Sequence, residues 1–452
     1  MSGSLSDSEK HMTGSPESEQ ILYRPYVVSW NLTYRCNLSC QHCYLDAGPR
    51  PAVSDAGFLD RSELSTEQCY QVVDQISQFA PGCLTILTGG EPLLRRDIVE
   101  IIRYGHRRGL WMVVGTNGVR ITEKLVAILL EAGMRGLSLS LDSLDPEAHD
   151  RFRGVLGAWE NTVRGARILA EQNLPFIVQT TVATHNRDEL RALAQFACRE
   201  MQARVWNLYF LVPSGRGGYV SELTQQEYDR VLEDLAKIQK EYASRMLVNA
   251  KCAPHYIRHL LERDPDSPFL KSYSQGAGGC PAGTHYLGIR PNGDVTPCPY
   301  LPLFGGNLKT ASLRTIWEDS ALFRQIRQRT SLGGKCGECE LTDRCGGCRA
   351  RAFGRHGDLM GEDPICSHQP GSLNDRLVQL EPPVTYGQQA TAELEWDEDA
   401  RERMNRIPAF VRGMVIRKVE DYCRARGMSR VTNDQLTEIR SRMPASRIFG
   451  RS

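Results

Sequence analysis

Cys36, Cys40 and Cys43 stand in the stretch TYRCNLSCQHCY, with three and then two residues between them. Thiolates this close on one tight loop can hold three corners of a 4Fe–4S cube, leaving the fourth iron open to a small molecule. A zinc ion would need a fourth donor, and His42, the nearest one, lies between two of the cysteines. A second group comprises Cys280, Cys298, the run Cys336-x2-Cys339-x5-Cys345-x2-Cys348, and Cys366. Read alone, that run is compatible with a zinc ribbon, but seven cysteines do not divide into tetrahedral sites without a missing ligand. Cys252 lies between the groups, either as a further ligand or as a buried or substrate-facing thiol. Cys69, Cys83, Cys198 and Cys423 read as small buried hydrophobes.

Fifteen cysteines would suggest a disulfide framework in a secreted protein. The first 20 residues, however, are polar, rich in Ser and Glu, and lack the apolar region of a signal peptide. A reducing, cytoplasmic location is therefore expected, where such a framework does not persist. The balance of 55 Lys and Arg against 54 Asp and Glu argues against a nucleic-acid or acidic-membrane binder, which needs a cationic surplus. No run approaches the ~18 apolar residues of a membrane span.

Positioning these groups falls to a strand–turn–helix pattern repeated between about Tyr26 and Pro213. Apolar runs at 26–33, 84–92, 111–118, 136–142, 176–182 and 205–213 alternate with helical segments such as 67–79, 122–132 and 189–201. Six βα units predict an α/β fold with a parallel sheet, because parallel neighbours need crossover connections. The strand ends of such a sheet form its binding mouth, and TYRCN, TGGEP, GTNG and SLD all fall there. In domain terms, 1–24 reads as a disordered tail and 25–220 as the βα unit. Residues 221–275 read as a helical connection, amphipathic at helical spacing. The segment 276–370 is rich in Gly and Cys and poor in apolar residues, so it needs cross-links that metal clusters would supply. A linker spans 371–395. A helical module at 396–452 carries 13 basic and 8 acidic residues. There Pro408 suits a first turn, and Phe410, Val411, Met414, Val415, Val419 and Tyr422 form an apolar stripe opposite Arg412, Arg417, Arg424 and Arg426. The ordinary reading of that face is a solvated cationic surface.

The triad loop after a strand resembles the radical SAM superfamily. The resemblance implies a partial (β/α)6 barrel whose open iron is chelated by the amino and carboxylate groups of S-adenosylmethionine (AdoMet), with His42 near the adenine. It gives the other strand ends roles as well. Gly89 and Gly90 would let carbonyls reach the methionine ammonium, with the charge of Glu91 nearby. Ser140 and Asp142, alternate residues of one strand, would take the ribose hydroxyls. Thr116 and Asn117 would occupy the rim position on the third strand. No catalytic side chain is assigned, since the radical chemistry belongs to the cofactor. The implied electron donor is a reduced flavodoxin- or ferredoxin-type protein.

The second cysteine group resembles the SPASM domain, which holds two auxiliary 4Fe–4S clusters. Carried over, its pattern gives Cys336, Cys339, Cys345 and Cys366 to one cluster and Cys280, Cys298 and Cys348 to the other. Two departures stand out. The last gap, from Cys345 to Cys348, is two residues where three is usual, and Ser274 and Gln275 occupy the place of an eighth cysteine found in some members. The second cluster is left with an open iron or with Cys252. The module after 396 resembles the C-terminal domain of the B subunit of light-independent protochlorophyllide reductase. CGGCRARAFGRHGDL and EDPIC resemble the radical SAM maturases of the alternative haem and haem d1 pathways. These resemblances imply a tetrapyrrole substrate, for instance an iron porphyrin losing propionate carboxyl groups. The alternative is a ribosomally made peptide, although the short polar N-terminus is expected to leave no room for a folded leader-binding domain. A non-enzymatic iron–sulfur carrier would not need the AdoMet-binding strand ends.

Overall fold

The computed structural model describes residues 23–49, 62–272, 279–377, 393–405, 407 and 409–442. Residues 1–22 of the tail, Ser274, Gln275, Pro408 and residues 378–392 of the linker lie outside the described residues. The six expected strands form in order: β1 Val27–Asn31, β2 Leu84–Thr88, β3 Trp111–Gly115, β4 Gly136–Ser140, β5 Phe176–Val182 and β6 Val205–Phe210. Each pairs in parallel with the next, and helices make the crossovers. Local sequence sets where those helices begin. Ser65 and Gln68 form a reciprocal capping box at Thr66–Phe79, and Thr122 accepts from Leu125 N at Glu123–Glu131; each cap is worth ~1 kcal/mol. The first helix buries Val72, Val73, Ile76 and Phe79, the three-to-four spacing of a face laid on a sheet.

The sheet extends beyond those six strands. The connection expected to be helical also holds β7, Leu247–Lys251, parallel to β6 with Lys251 opposite Tyr209. LVNAK is short and only its Val248 is buried, so it carries no alternation by which a strand can be read. At the other edge, β8 (Tyr286–Ile289) pairs in parallel with β1, placing Tyr286 opposite Val27. Antiparallel β9 (Asp294–Thr296) and β10 (Gly306–Asn307) follow. The result is one ten-stranded sheet, β10-β9-β8-β1-β2-β3-β4-β5-β6-β7, that runs through the regions of both cysteine groups. Gly288 permits the turn-back, since a β-carbon there would lie 2.6 Å from the Thr296 hydroxyl. Trp30 and Trp206 are fully buried in the core beneath it.

The C-terminal module holds helices Glu398–Asn405, Ala409–Arg424 and Asn433–Arg442, tied by a short parallel pair, β11 (Glu395–Trp396) and β12 (Arg430–Val431). Its core gathers Trp396, Met404, Val419, Cys423, Leu436 and Ile439, with Val415 and Tyr422 packed against it; the side chains of Phe410, Val411 and Met414 lie outside the described residues. The expected cationic face is largely consumed internally. Arg412 donates to the carbonyls of Asn405 and Ile407, Arg424 pairs with Glu393, Glu420 and Asp421, and Arg426 lies over the Tyr422 ring. Arg417, like Arg424 and Arg426, is exposed. No described helix is long and apolar enough to cross a membrane.

Candidate active site

The triad loop leaves β1 and closes on itself, with Cys36 N donating to Gly48 O at 3.0 Å. All three sulfurs accept hydrogen bonds: Cys36 from Leu38 N (3.4 Å), Cys43 from Ala47 N (3.3 Å) and Cys40 from Arg153 Nη1 (3.7 Å). Arg216 staples the loop from beyond β6, reaching Cys40 O at 2.9 Å, Asp46 Oδ1 at 2.7 Å and Ala47 O at 2.8 Å. Burial pushes the Cys36 thiol up to about 12, so its thiolate needs nearby positive charge of the kind a metal cluster brings. Three converging sulfurs with N–H groups aimed at them fit a cluster.

The rim motifs divide into those that face the cavity and those that hold it in shape. Gly89, Gly90, Thr116, Asn117, Ser140 and His42 line the cavity next to the triad, which encloses ≈ 190 Å³. Gly90 also has a packing reason: Gly90 N donates to Thr33 O, Glu91 N donates to Arg35 O, and a β-carbon at Gly90 would lie 2.1 Å from Arg35 O. His42 stacks on Phe152 at 4.5 Å, and burial lowers its pKa to about 3, so the ring is neutral. Two of the expected residues stand behind the wall. Glu91 is close to the cavity but does not line it. It is fully buried, and its carboxylate accepts from Thr116 Oγ1 (2.8 Å), Asn117 N (2.9 Å) and Leu93 N (3.1 Å), fixing the GTNG turn. Asp142 is likewise fully buried, ion-paired with Arg153 Nη2 at 2.5 Å and accepting from Thr181 N at 2.8 Å. β4 ends at Ser140, so strand alternation no longer governs where Asp142 points.

Sequence reasoning missed Arg153 and Arg216, single basic residues whose partners are distant in sequence. It also missed the far wall, formed by Tyr209, Tyr286, Pro299 and Tyr300. Tyr300 meets Tyr44 of the triad loop edge to face at 4.9 Å, and Tyr44 Oη donates to Asn31 Oδ1 at 2.7 Å. One cavity thus spans from the triad to the segment that follows Cys298.

Behind that wall the second cysteine group sorts into two. Cys336, Cys339, Cys345 and Cys366 line one small pocket together with His368. His368 sits beside Cys339 and Glu340, their ligand atoms all within 4.8 Å of one another. Cys280, Cys298 and Cys348 share a separate small core that Cys252 also joins. Away from both groups, Cys69, Cys83 and Cys423 are fully buried as hydrophobes and Cys198 is half-buried.

Comparison with known proteins matches this arrangement to named families. The radical SAM superfamily profile fits residues 30–197, and that of the iron–sulfur cluster-binding SPASM domain fits residues 280–348. An AdoMet-dependent heme synthase of Methanosarcina barkeri is 38% identical over 352 residues, covering 77% of this chain and 97% of that protein. The chain belongs to the radical SAM superfamily. As a radical SAM enzyme with a SPASM domain it is an AdoMet-binding iron–sulfur enzyme, since both domains imply 4Fe–4S clusters. Another relative of this radical SAM enzyme, the mycofactocin maturase MftC of Mycolicibacterium smegmatis, is 30% identical, covering 77% of this chain and 84% of that one. Streptococcus suis SuiB bound to S-adenosylmethionine shares the fold, with a TM-score of 0.60 at 20% identity over 77% of this chain and 78% of that one. The module at residues 396–440 matches the proto-chlorophyllide reductase 57 kD subunit family.

Proposed function

We propose that this enzyme removes carboxyl groups from the propionates of an iron porphyrin, with Cys36, Cys40 and Cys43 holding the AdoMet cluster and two auxiliary clusters held by the second cysteine group. The observation that carries the reading is a cavity lined both by the triad loop and by Tyr209, Tyr286 and Tyr300. AdoMet at the triad and a broad planar substrate against the tyrosines would share one enclosure. The heme synthase relative, matched over nearly its whole length, and the C-terminal family match support a tetrapyrrole.

When bound and reduced, the triad cluster supplies the electron that splits AdoMet into methionine and a 5′-deoxyadenosyl radical. This chain's residues position the reactants. Arg153, held by Asp142 and lining the cavity, presents a fixed cation for the methionine carboxylate. Ser140, Gln179 and Thr181, also on the wall, suit the ribose. Glu91 acts at one remove by holding Thr116 and Asn117. The tyrosine wall keeps water from the reacting carbon. Each decarboxylation would pass a hydrogen atom from the propionate to the 5′-deoxyadenosyl radical, giving 5′-deoxyadenosine; loss of CO2 would then leave a vinyl group and one electron to be removed. Cys298 directly precedes the wall residue Pro299, on the path that electron would take.

The MftC relative favours a second reading, in which the substrate is a small peptide. Anaerobic turnover with AdoMet, dithionite and an iron porphyrin bearing propionates, followed by mass spectrometry, decides between them. Stepwise loss of carboxyl groups is the expected result. No binding of any carboxylated tetrapyrrole, together with modification of a peptide encoded nearby, gives the peptide reading the site.

A further inference from the structure

We infer that Cys252 is the fourth protein ligand of the cluster carried by Cys280, Cys298 and Cys348, so that this cluster has four thiolates and no open iron. The inference rests on the auxiliary-cluster reading above and deepens it. In the SPASM pattern these three cysteines are one thiolate short, and the fourth is supplied here from an unexpected direction. Cys252 directly follows β7, whose pairing with β6 fixes where it emerges. There it packs, with Cys298, against the small core that buries Cys280 and Cys348. Cys298 is within electrostatic range of the other three thiols, and Cys252 of Cys280 and Cys348. Four cysteines from four separate chain segments thus meet in one small core.

The backbone at Cys252 has φ +57°, a left-handed conformation that a residue with a β-carbon adopts only when its surroundings hold it there. What holds it is a buried clamp. Arg351 Nη2 donates to Cys252 O at 3.0 Å, while Arg351 Nη1 pairs with Asp363 Oδ2 at 3.0 Å. The same carboxylate oxygen accepts from Cys348 N at 2.7 Å. One fully buried ion pair therefore fixes the main chain of Cys252 against that of Cys348. A 4Fe–4S cube takes one thiolate per iron, so four sulfurs saturate it. Such a cluster can relay an electron but cannot bind substrate at iron, whereas the three-cysteine triad leaves an iron for AdoMet.

The test uses the full chain carrying Cys36→Ala, Cys40→Ala and Cys43→Ala, so that only auxiliary iron remains, reconstituted anaerobically and reduced for EPR. This parent should bind about eight irons and give two cluster signals that added cyanide leaves unchanged. Adding Cys252→Ala should either remove about four irons or make one signal cyanide-sensitive, with the other signal preserved as an internal check on folding. Cys252→Ser should keep the iron and shift the same signal. A Cys252→Ala protein with iron and signals identical to the parent's overturns the assignment of Cys252 alone, as does a parent that already responds to cyanide. A parent that takes up zinc in place of iron overturns the auxiliary-cluster reading, and this inference with it.

Discussion

Tyr44, the residue after Cys43, meets Tyr300, two residues after Cys298, edge to face with ring centroids 4.9 Å apart and planes at 63°. The pair joins the triad loop to the auxiliary segment across the cavity. An edge-to-face contact adds ~0.5–1.5 kcal/mol beyond burial, so its loss should leave the fold intact. Tyr300→Leu is expected to keep iron content and AdoMet cleavage while lowering severalfold the modified product formed per 5′-deoxyadenosine. Tyr300→Phe, which keeps the ring, should stay near wild type. Undiminished coupling in the Leu variant would remove Tyr300 from the substrate wall.

Iron content separates the cluster readings. Anaerobic reconstitution should give about twelve irons with matching sulfide, and replacing Cys36, Cys40 and Cys43 together by Ala should remove about four. Close to two zinc ions with little iron is the contrary outcome, and metal analysis reports it directly.

Arg153 and Asp142 form a buried pair, with side chains 8% and 0% exposed. Burial raises the Asp142 pKa most strongly, but the Arg153 guanidinium, His42, His149 and the hydrogen bond from Thr181 N together outweigh it and hold the carboxyl below its ordinary value. A depressed pKa stabilises the fold above the unfolded value of ~3.9 and is lost only as pH falls through the folded one, so wild type should be flat in this respect from pH 5.5 to 8. Arg153→Met leaves a buried carboxylate unpaired, at a cost of about 3–5 kcal/mol. The sign then reverses: Asp142, its pKa now raised, favours the fold when protonated, and stability should drop as pH rises. Denaturant melts of both proteins at the two pH values measure this, and a gap that does not widen toward pH 8 refutes it.

Glu91→Gln tests the carboxylate that shapes the GTNG turn. An amide in place of Oε2 would point N–H at the Asn117 N–H, leaving a buried donor unpaired at ~1–3 kcal/mol. Lower thermal stability and weaker AdoMet binding should appear together, with iron content unchanged. Normal AdoMet affinity would separate Glu91 from the rim's geometry.

In the C-terminal module the arginines should behave differently from one another. Arg412→Ala removes the bonds to the carbonyls of Asn405 and Ile407 and should loosen the module, whereas the exposed Arg417→Ala should lower tetrapyrrole affinity without lowering stability. Truncation after residue 392 should keep iron and AdoMet cleavage but weaken that affinity. Titration of the visible bands reads all three, and unchanged affinity in the truncated protein would leave the module without a part in binding.

The features legible in the sequence were local. Six strands announced themselves by apolar runs and turn residues, and the triad by spacing on one loop. Ser140, Thr116 and the paired glycines followed from their place at strand ends. The features that escaped depend on contacts between distant segments. Nothing within LVNAK or YLGI says that these short strands extend the sheet at opposite edges. Arg153 and Arg216 are ordinary basic residues until the fold carries them to Cys40. Asp142 lies past the last residue of β4, where alternation no longer says which way a side chain points. The arginines of the C-terminal module were read as one cationic face, but periodicity is silent on which acids and carbonyls in the same module engage them.

The pairing of β8 with β1 sets an order of events during synthesis. β1 is made early, but its neighbour on one side is not translated until about 250 residues later, roughly 10–50 s at ordinary elongation rates. Until then the strand that leads into the triad shows a bare row of N–H and C=O groups, an invitation to mispairing. That edge of the nascent sheet therefore gains its partner only once residue 290 has emerged. Limited proteolysis of chains stalled before and after that point should find β1 protected in the longer one alone.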